Sequence, residues 1–389
     1  MPTTLQHPLL EKFSCLGDKC EDTCCKGWSM QLDDATLARY KKEAPELLDA
    51  VEPAEESPWI MRKDPKTTYC VKYEDGLCGI HKERGDSFLG DACHFYPRST
   101  RSLGDSKIMT ATLSCPEVSR LALFEKAPFA FYTSDIERLP YTMKDYLPEG
   151  ISAEDAVAVH TAFIAATEDE ANAETILARI ASVSRSIELI DKKSWAQAVP
   201  FYLKNADMRL PDAQVNPADP FNVLHALCGL IVATQKPISE RLKQTIDDME
   251  KALHVKLDWQ NVLIQLSDDS GEAWQKLESE WQKNKEQYQP ILKRYLQMQL
   301  SLALYPFSGL GSNLSERVTI IGVRLATIKL AIITACGIYG ASLPQDTVVR
   351  LVQSLSRFLD HLGDPAFSLQ IYAETGWDKE PRMRGLLAA

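Results

Sequence analysis

The chain has too little positive charge to act as a general nucleic-acid binder. Its 43 Lys and Arg against 54 Asp and Glu leave a net charge of −11, with no basic stripe to displace phosphate counterions. An acidic surface draws cations instead, lysine side chains of a protein among them. No two cysteines stand in a CxxC pair, so a zinc ribbon is a poor match. A Walker loop, a GxSxG elbow and a HExxH helix are also missing, which removes the common phosphate-binding, hydrolase and zincin signatures. Gly309-Leu-Gly311-Ser has no strand before it and reads as a turn between helices. Without a glycine-rich strand–turn–helix, no Rossmann fold is expected. The most apolar window, Val318 to Leu343, is broken by Arg324 and Lys329 and falls short of a membrane span. The first 13 residues lack a basic start and an apolar run. A cytoplasmic protein away from any membrane is the expectation.

What the sequence does have is cysteine, unevenly placed. Cys15, Cys20, Cys24 and Cys25 fall in FSCLGDKCEDTCCKGW, and Cys70, Cys78, Cys93 and Cys115 follow. Thus eight of ten cysteines occupy the first 115 of 389 residues. In a reducing compartment such clustering points to metal ligands or catalytic thiols rather than disulfides. Soft sulfur donors suit zinc, copper(I) or an iron–sulfur cluster, and clusters accept irregular spacing. Eight thiols allow two four-ligand centres, or one cluster with surplus thiols. The adjacent Cys24 and Cys25 are expected to diverge. Cys20-x3-Cys24 begins the C-x3-C-x2-C of radical S-adenosylmethionine enzymes, but Gly27 holds the third position. The alternating strand–helix pattern of that barrel is absent too, and the class is rejected. Cys228 and Cys336, each alone on an apolar helical stretch, read as small core residues.

Taken in order, Asp33 and Asp34 cap a helix interrupted near Pro45, and 52–68 is a charged, proline-rich loop by composition. CVKYEDGLCGIH predicts a hairpin with an Asp-Gly turn, bringing Cys70 near Cys78, with His81 just beyond. GDACHFYPRST reads as a turn. A strand pair is expected around Asp105, and Pro116 suits the first helical position after Cys115. From about 127 onward, amphipathic periodicity predicts helices from Ser152 to about Glu168 and over 171–191, 193–206, 218–235, 238–253, 270–305, 313–341 and 345–362. The tail after Pro365 reads as irregular. The fold class expected is mainly α: a small cysteine-rich metal-binding unit with short β-hairpins (1–126), then a large helical domain (127–389).

Polar neighbours of the cysteines carry candidate roles. His81 and His94 are possible ligands or donors to a cluster sulfur. Arg98 could clamp a carboxylate. Trp28 reads as a roof over the metal site. Tyr69, Tyr73 and Tyr96 are ambiguous between packing and chemistry. Ser356, Arg357 and His361 lie at helical spacing and share a face, read as packing against the cysteine unit.

Together, FxCxGDKCEDTCCKGWxxxLD, CVxYEDGLCGIH, CHFYPR and SCPEVSRL resemble the flagellin lysine N-methylase family, and the first segment also resembles a zinc- or iron-chelating cysteine domain. RYLQMQLSLALYPF and SRFLDH fit more loosely. The resemblance implies transfer of methyl groups from S-adenosylmethionine to lysine ε-amines of flagellin, with a [4Fe–4S] cluster held by this cysteine set. Zinc is the alternative metal, and a non-catalytic metal module that binds a protein partner is the alternative function. Methyl transfer needs a neutral amine, whereas free lysine titrates near about 10.4. Asp33, Tyr73 and Tyr96 are candidate bases by proximity to the motifs, and Arg98 and His94 candidate cofactor contacts.

Overall fold

The computed structural model describes residues 3–54, 59–125, 129–136, 138–141, 143–206, 213–235, 238–307 and 310–388. Gly309, half of the FSGLGSN reading, lies outside them. The chain is mainly helical, 58% helix against 11% strand.

The N-terminal third is built from short elements: β1 (Thr3–Gln6), α1 (Asp34–Glu43), β2 (Val51–Glu52), β3 (Ile60–Met61), β4 (Tyr73–Glu74), β5 (Leu77–Cys78), α2 (Gly79–Arg84), α3 (Asp91–Phe95), β6 (Arg98–Leu103), β7 (Ser106–Ala111) and α4 (Pro116–Phe124). β8 (Tyr132–Asp135) then completes a four-stranded sheet in the order β6-β7-β1-β8. β1 runs parallel to β7 and antiparallel to β8. The β6–β7 hairpin turns at Gly104 and Asp105, where Gly104 takes φ +60°, a conformation that side chains disfavour.

Among the described residues eleven α-helices follow: α5 (Ala153–Ala165), α6 (Ala173–Glu188), α7 (Trp195–Asn205), α8 (Asp219–Thr234), α9 (Glu240–Leu253), α10 (Ser270–Asn284), α11 (Gln289–Leu302), α12 (Leu314–Tyr339), α13 (Gln345–Leu359), α14 (Pro365–Glu374) and α15 (Glu380–Ala388). Ser152, Asn172, Ser239 and Asn313 accept backbone N–H bonds at the starts of α5, α6, α9 and α12, satisfying donors the helix itself leaves open.

The expected 270–305 helix is two, because Pro290 at the start of α11 has no N–H to continue α10. The tail expected to be irregular forms α14 and α15, with Asp364 capping the first. A hairpin of β9 (Val255–Asp258) and β10 (Leu263–Leu266) was not foreseen. The Asp-Gly hairpin forms, with Asp75 at φ 50° and Gly76 at φ 83°, but Cys78 faces Tyr73 while Cys70 bridges Lys63. The 90–100 turn is instead the short helix α3, followed directly by β6.

From Val318 to Ala335, helix α12 is buried throughout and mainly apolar, its charges being Arg324 and Lys329. It is the only helix among the described residues long and apolar enough to cross a membrane, yet every residue of its most apolar window lies inside the fold. The two charges within the buried stretch, Arg324 and Lys329, are paired there. Arg324 pairs with Asp360 at 3.2 Å, both nearly solvent-free, and donates to the Leu359 carbonyl. Lys329 donates to the Leu387 carbonyl at 2.6 Å and faces Glu174. A buried charge persists only with such partners.

The main core takes residues from both sides of position 126, including Leu10, Ile108, Val118, Phe163, Tyr295 and Leu325. A second, smaller cluster is confined to Met30–Leu89, and Cys24, Cys70, Cys78 and Cys93 pack against it.

Two core histidines make a pH test possible. His160 is fully buried, its Nδ1 2.7 Å from the Tyr305 carbonyl. Burial pulls its pKa from 6.5 down to about 4, against the upward pull of that carbonyl. Burial first, then the charge of Arg294, pulls His7 down to about 3. Between these values and 6.5 the unfolded chain binds protons that the folded chain refuses. Stability should therefore fall as pH drops below about 6.5, by up to about 1.4 kcal/mol per pH unit for each histidine. Urea unfolding of wild type and His160→Gln between about pH 7 and 5 checks this. The variant should show the shallower pH dependence, and equal slopes would contradict the account.

Candidate active site at the cysteine–helix seam

Segments 25–32 and 59–70 lie side by side as an irregular ribbon. Cys70 donates to the Cys25 carbonyl at 2.8 Å, Gly27 to Thr68, Met61 to Met30 and Leu32 to Trp59. Lys26 bridges Tyr69, and Gln31 bridges Ile60. This pairing sets Cys25 beside Cys70, and the β4–β5 turn carries Cys78 back to them.

The thiols fall into two sets by the charges they feel. Burial is the main cause of the raised Cys93 pKa, with Cys78, Cys25 and Cys70 adding to it. Burial likewise raises Cys70 and Cys78, with Cys25 adding to each. The second set is Cys15, Cys20 and Cys115. Burial pushes Cys115 up to about 12, with Cys20 and Cys15 contributing. Cys20 rises as well, by burial first and then the charges of Glu21 and Cys15, against the Asp22 backbone N–H. Cys24 and Cys25 do not diverge as expected: a hydrogen bond between their thiols is the largest cause of the raised Cys25 pKa. Cys24 also acts on Tyr96 and stands between the two sets.

Among the described residues, no group of three or more His, Cys, Asp and Glu side chains is arranged to hold a metal ion. All ten cysteines are free thiols. The donor chemistry nonetheless suits a metal-bound thiolate. Backbone N–H groups aim at the sulfurs: Asp22 at Cys20, Lys72 at Cys70, His81 and Ile80 at Cys78, Val118 and Glu117 at Cys115. Each such bond favours the anion that burial disfavours, and hydrogen bonds to sulfur are a means of tuning a metal–thiolate centre.

The other candidate residues are placed as follows. Asp33 caps α1, its Oδ1 accepting from Thr36 N–H at 2.8 Å and its Oδ2 from Asp91 N–H at 2.9 Å. Burial works to raise its pKa, but those backbone bonds prevail and lower it. Tyr73 stacks on Tyr69 at 4.7 Å. Burial and the neighbouring Tyr69 raise its pKa, opposed by a bond with Thr23. Tyr96 is buried against Ser114 at 3.2 Å and meets Trp28 edge-on. Burial, then Cys115, holds its phenol protonated. His94 has its Nδ1 2.7 Å from Asp86. Arg98 lies over the Phe13 ring, on β6.

Of Ser356, Arg357 and His361, the last two meet the cysteine segment, while Ser356 is buried beside Tyr295. Arg357 pairs with Asp22 at 2.8 Å, both nearly buried. Its guanidinium also donates to the carbonyls of Thr23 at 3.3 Å and Lys26 at 2.5 Å and covers the Trp28 ring. Gln353 ties the Asp22 carboxylate to the Ser114 carbonyl, at 2.8 and 2.9 Å, and accepts from Arg241. His361 sits 3.3 Å from the Ser114 hydroxyl and 4.5 Å from Trp28.

Sequence reading missed Asp22 and Gln353. Nothing local distinguishes an acid between two cysteines, or a glutamine on an amphipathic helix, from solvated residues. Against this seam lies a cavity of about 490 Å³ bounded by Trp28, Lys63, Ser239, Leu242, Arg357 and His361, among others.

The site is thus a thiol-rich ribbon clamped by charge to a mainly helical scaffold, with a cavity at the joint. Residues 187–379 match the family described as FliB lysine N-methylase C-terminal domain, a span that includes α13. The chain is 29% identical over 126 residues to the Lysine-N-methylase of Salmonella typhimurium (strain LT2), covering 30% of this chain and 31% of that protein. The Lysine-N-methylase of Salmonella choleraesuis (strain SC-B67) gives the same identity and coverage. Against the flagellar biosynthetic protein FliU of Salmonella muenchen, identity is 28% over 147 residues, covering 33% of this chain and 86% of that protein. The alignment therefore spans about a third of the length of the two lysine N-methylases. No solved structure matches. Residues 187–379, just under half of the chain, carry this family likeness.

Removing Asp22 should strand the Arg357 charge in a nearly buried site, at a cost on the order of 3–5 kcal/mol. Asp22→Ala should also speed alkylation of metal-free Cys20, Cys24 and Cys25, read by mass spectrometry of their peptides under native conditions. Unchanged stability together with unchanged alkylation would show that the clamp does not hold this loop.

Proposed function

We propose that this chain is a cytoplasmic protein-lysine N-methyltransferase that moves methyl groups from S-adenosylmethionine to lysine ε-amines of flagellin. The observation that carries the reading is the match of residues 187–379 to the lysine N-methylase family, on a chain whose thiols gather at the face of that same region. We assign the metal to Cys25, Cys70, Cys78 and Cys93 as one four-thiolate set, with Cys15, Cys20, Cys24 and Cys115 beside it. Their mutual electrostatic influence and the N–H bonds to sulfur support this. A [4Fe–4S] cluster is the group proposed, with zinc the alternative. When bound, such a cluster supplies positive charge and an electron reservoir next to the ribbon, and its charge draws the thiols to thiolates. Residues 1–126 then form a cysteine-rich metal-binding unit.

The chain's own residues must deliver a neutral amine. An ammonium pressed into a low-dielectric site loses its proton more readily. The amine lone pair then attacks the methyl carbon as the carbon–sulfur bond breaks, the sulfonium leaves as a thioether, and the new ammonium sheds a proton. Among the candidate bases, Asp33 has both oxygens committed to capping and Tyr96 is buried against Ser114. Tyr73, beside the first thiol set and partly open to solvent, is kept protonated by its raised pKa, so the proton leaves to water.

Anaerobically purified chain, incubated with flagellin and S-adenosylmethionine, should add methyl-sized mass increments to lysine peptides. Cys70→Ser should lose most bound metal by elemental analysis. Absence of any increment from fully metal-loaded protein would favour the non-catalytic metal module.

A further inference from the structure

The cavity at the seam has a chemical character of its own. One wall is the ribbon, with Trp28, Ser29, Gln31 and Lys63. The other comes from the first turn of α9, with Ser239 and Leu242, and from the end of α13. No aspartate or glutamate lines it among the described residues. Arg357 is paired with Asp22. Lys63 donates to the Ser29 hydroxyl at 3.2 Å, and among the described residues no carboxylate stands within ion-pair distance of it. The next residue, Asp64, is turned to its own loop, where its carboxylate accepts from the N–H groups of Lys66 and Thr67. The lysine acting on the Cys70 thiol is Lys72. The start of α9 adds to the same bias, since helix N-termini favour negative charge, and Glu240 of that turn does not line the cavity. Against a net charge of −11, the cavity is a local exception. It favours an anion and disfavours an ammonium.

Trp28, Leu242 and Phe358 give the cavity an apolar side, which suits a carboxylate carried on a hydrocarbon stem better than a bare inorganic anion. Its rim is open, with Ser29 and Gln31 exposed, and its volume of about 490 Å³ exceeds what a single acidic side chain fills. The main chain on either side of such a side chain has room to follow. The cavity shares its ribbon with the first thiol set, because Lys63 is the bridge partner of Cys70 and Trp28 follows Cys25 by three residues. We infer that this cavity takes an aspartate or glutamate side chain of the protein substrate, its carboxylate at Lys63 and its stem against Trp28 and Leu242, so that lysines with an acidic neighbour are preferred. This rests on the lysine-methylation reading above and adds a basis for choosing among lysines. It also makes Lys63, in a stretch read from sequence as loop, a specificity-determining residue.

The test is fluorescence anisotropy of labelled lysine peptides on the full, metal-loaded chain, with glutamate placed at each position near the lysine in turn. At the preferred position, replacing glutamate by glutamine should weaken binding roughly tenfold to a hundredfold, the scale of a lost charge-assisted hydrogen bond. Lys63→Glu should weaken the glutamate peptide to a similar degree, while Lys63→Arg should retain most of its binding. A peptide with lysine at that position should bind Lys63→Glu better than wild type. Metal content and far-UV circular dichroism accompany each variant. Equal binding of glutamate and glutamine peptides at every position would overturn the site and leave the methyltransferase reading standing. Competition by free N-acetylglutamate as strong as that of the peptide would make the cavity a small-acid site and overturn substrate recognition. Mass spectrometry of the same mixtures with S-adenosylmethionine tests the reading beneath. No methylation of any peptide or of flagellin would overturn that reading, and the charge swap would still decide whether the cavity takes a carboxylate.

Discussion

The ion pair between Asp22 and Arg357 joins two parts of the chain that sequence separates by over three hundred residues. Asp22 sits inside the first cysteine cluster, and Arg357 lies on the last turn of α13, so one nearly buried contact sets the thiol-bearing loop against the helical core. The backbone carbonyls of Thr23 and Lys26 share the same guanidinium. The planar fork of arginine can satisfy several acceptors at once, where a lysine ammonium would act as a point charge. The arrangement costs desolvation of both charges, and burial of this kind serves position more than stability.

That clamp depends in turn on α13 being held in place. Arg324, on the buried α12, pairs with Asp360 and donates to the Leu359 carbonyl, at the residues that end α13. Gln299 of α11 bonds the same carboxylate at 3.1 Å. A chain of buried polar contacts thus runs from the core helix to α13 and on to the cysteine loop. Low local dielectric strengthens each contact and makes the loss of any one expensive. The cavity occupies the joint so defined, where ribbon and helices meet without filling the space between them.

The thiols belong to the same architecture. Ribbon pairing and the β4–β5 turn bring Cys25, Cys70, Cys78 and Cys93 into mutual influence, and α4 begins at Cys115. In the free protein burial helps keep these thiols protonated, while backbone N–H groups favour the anions of Cys70, Cys78 and Cys115. Such opposed influences suit sites meant to be charged only when a cation is present.

The sequence by itself determined most helices, because apolar periodicity, Ser and Asn caps and proline positions act within a few residues. It also marked the cysteines as a set, since clustering is visible without a fold, and it placed Arg357 and His361 on one face. It misread the tail after Pro365, whose α14 and α15 are held by packing against α8, α12 and α6, contacts no local pattern records. The expected Cys70–Cys78 pairing shifted because the Asp75–Gly76 turn set the register to Tyr73, and Cys70 found Lys63 across the ribbon. Only the tertiary structure decided that Asp22 meets Arg357, that the thiols divide as they do, and that Lys63 faces a cavity. Each depends on segments far apart in the chain, and charge or thiol identity says nothing of its partner until the backbone brings the two together.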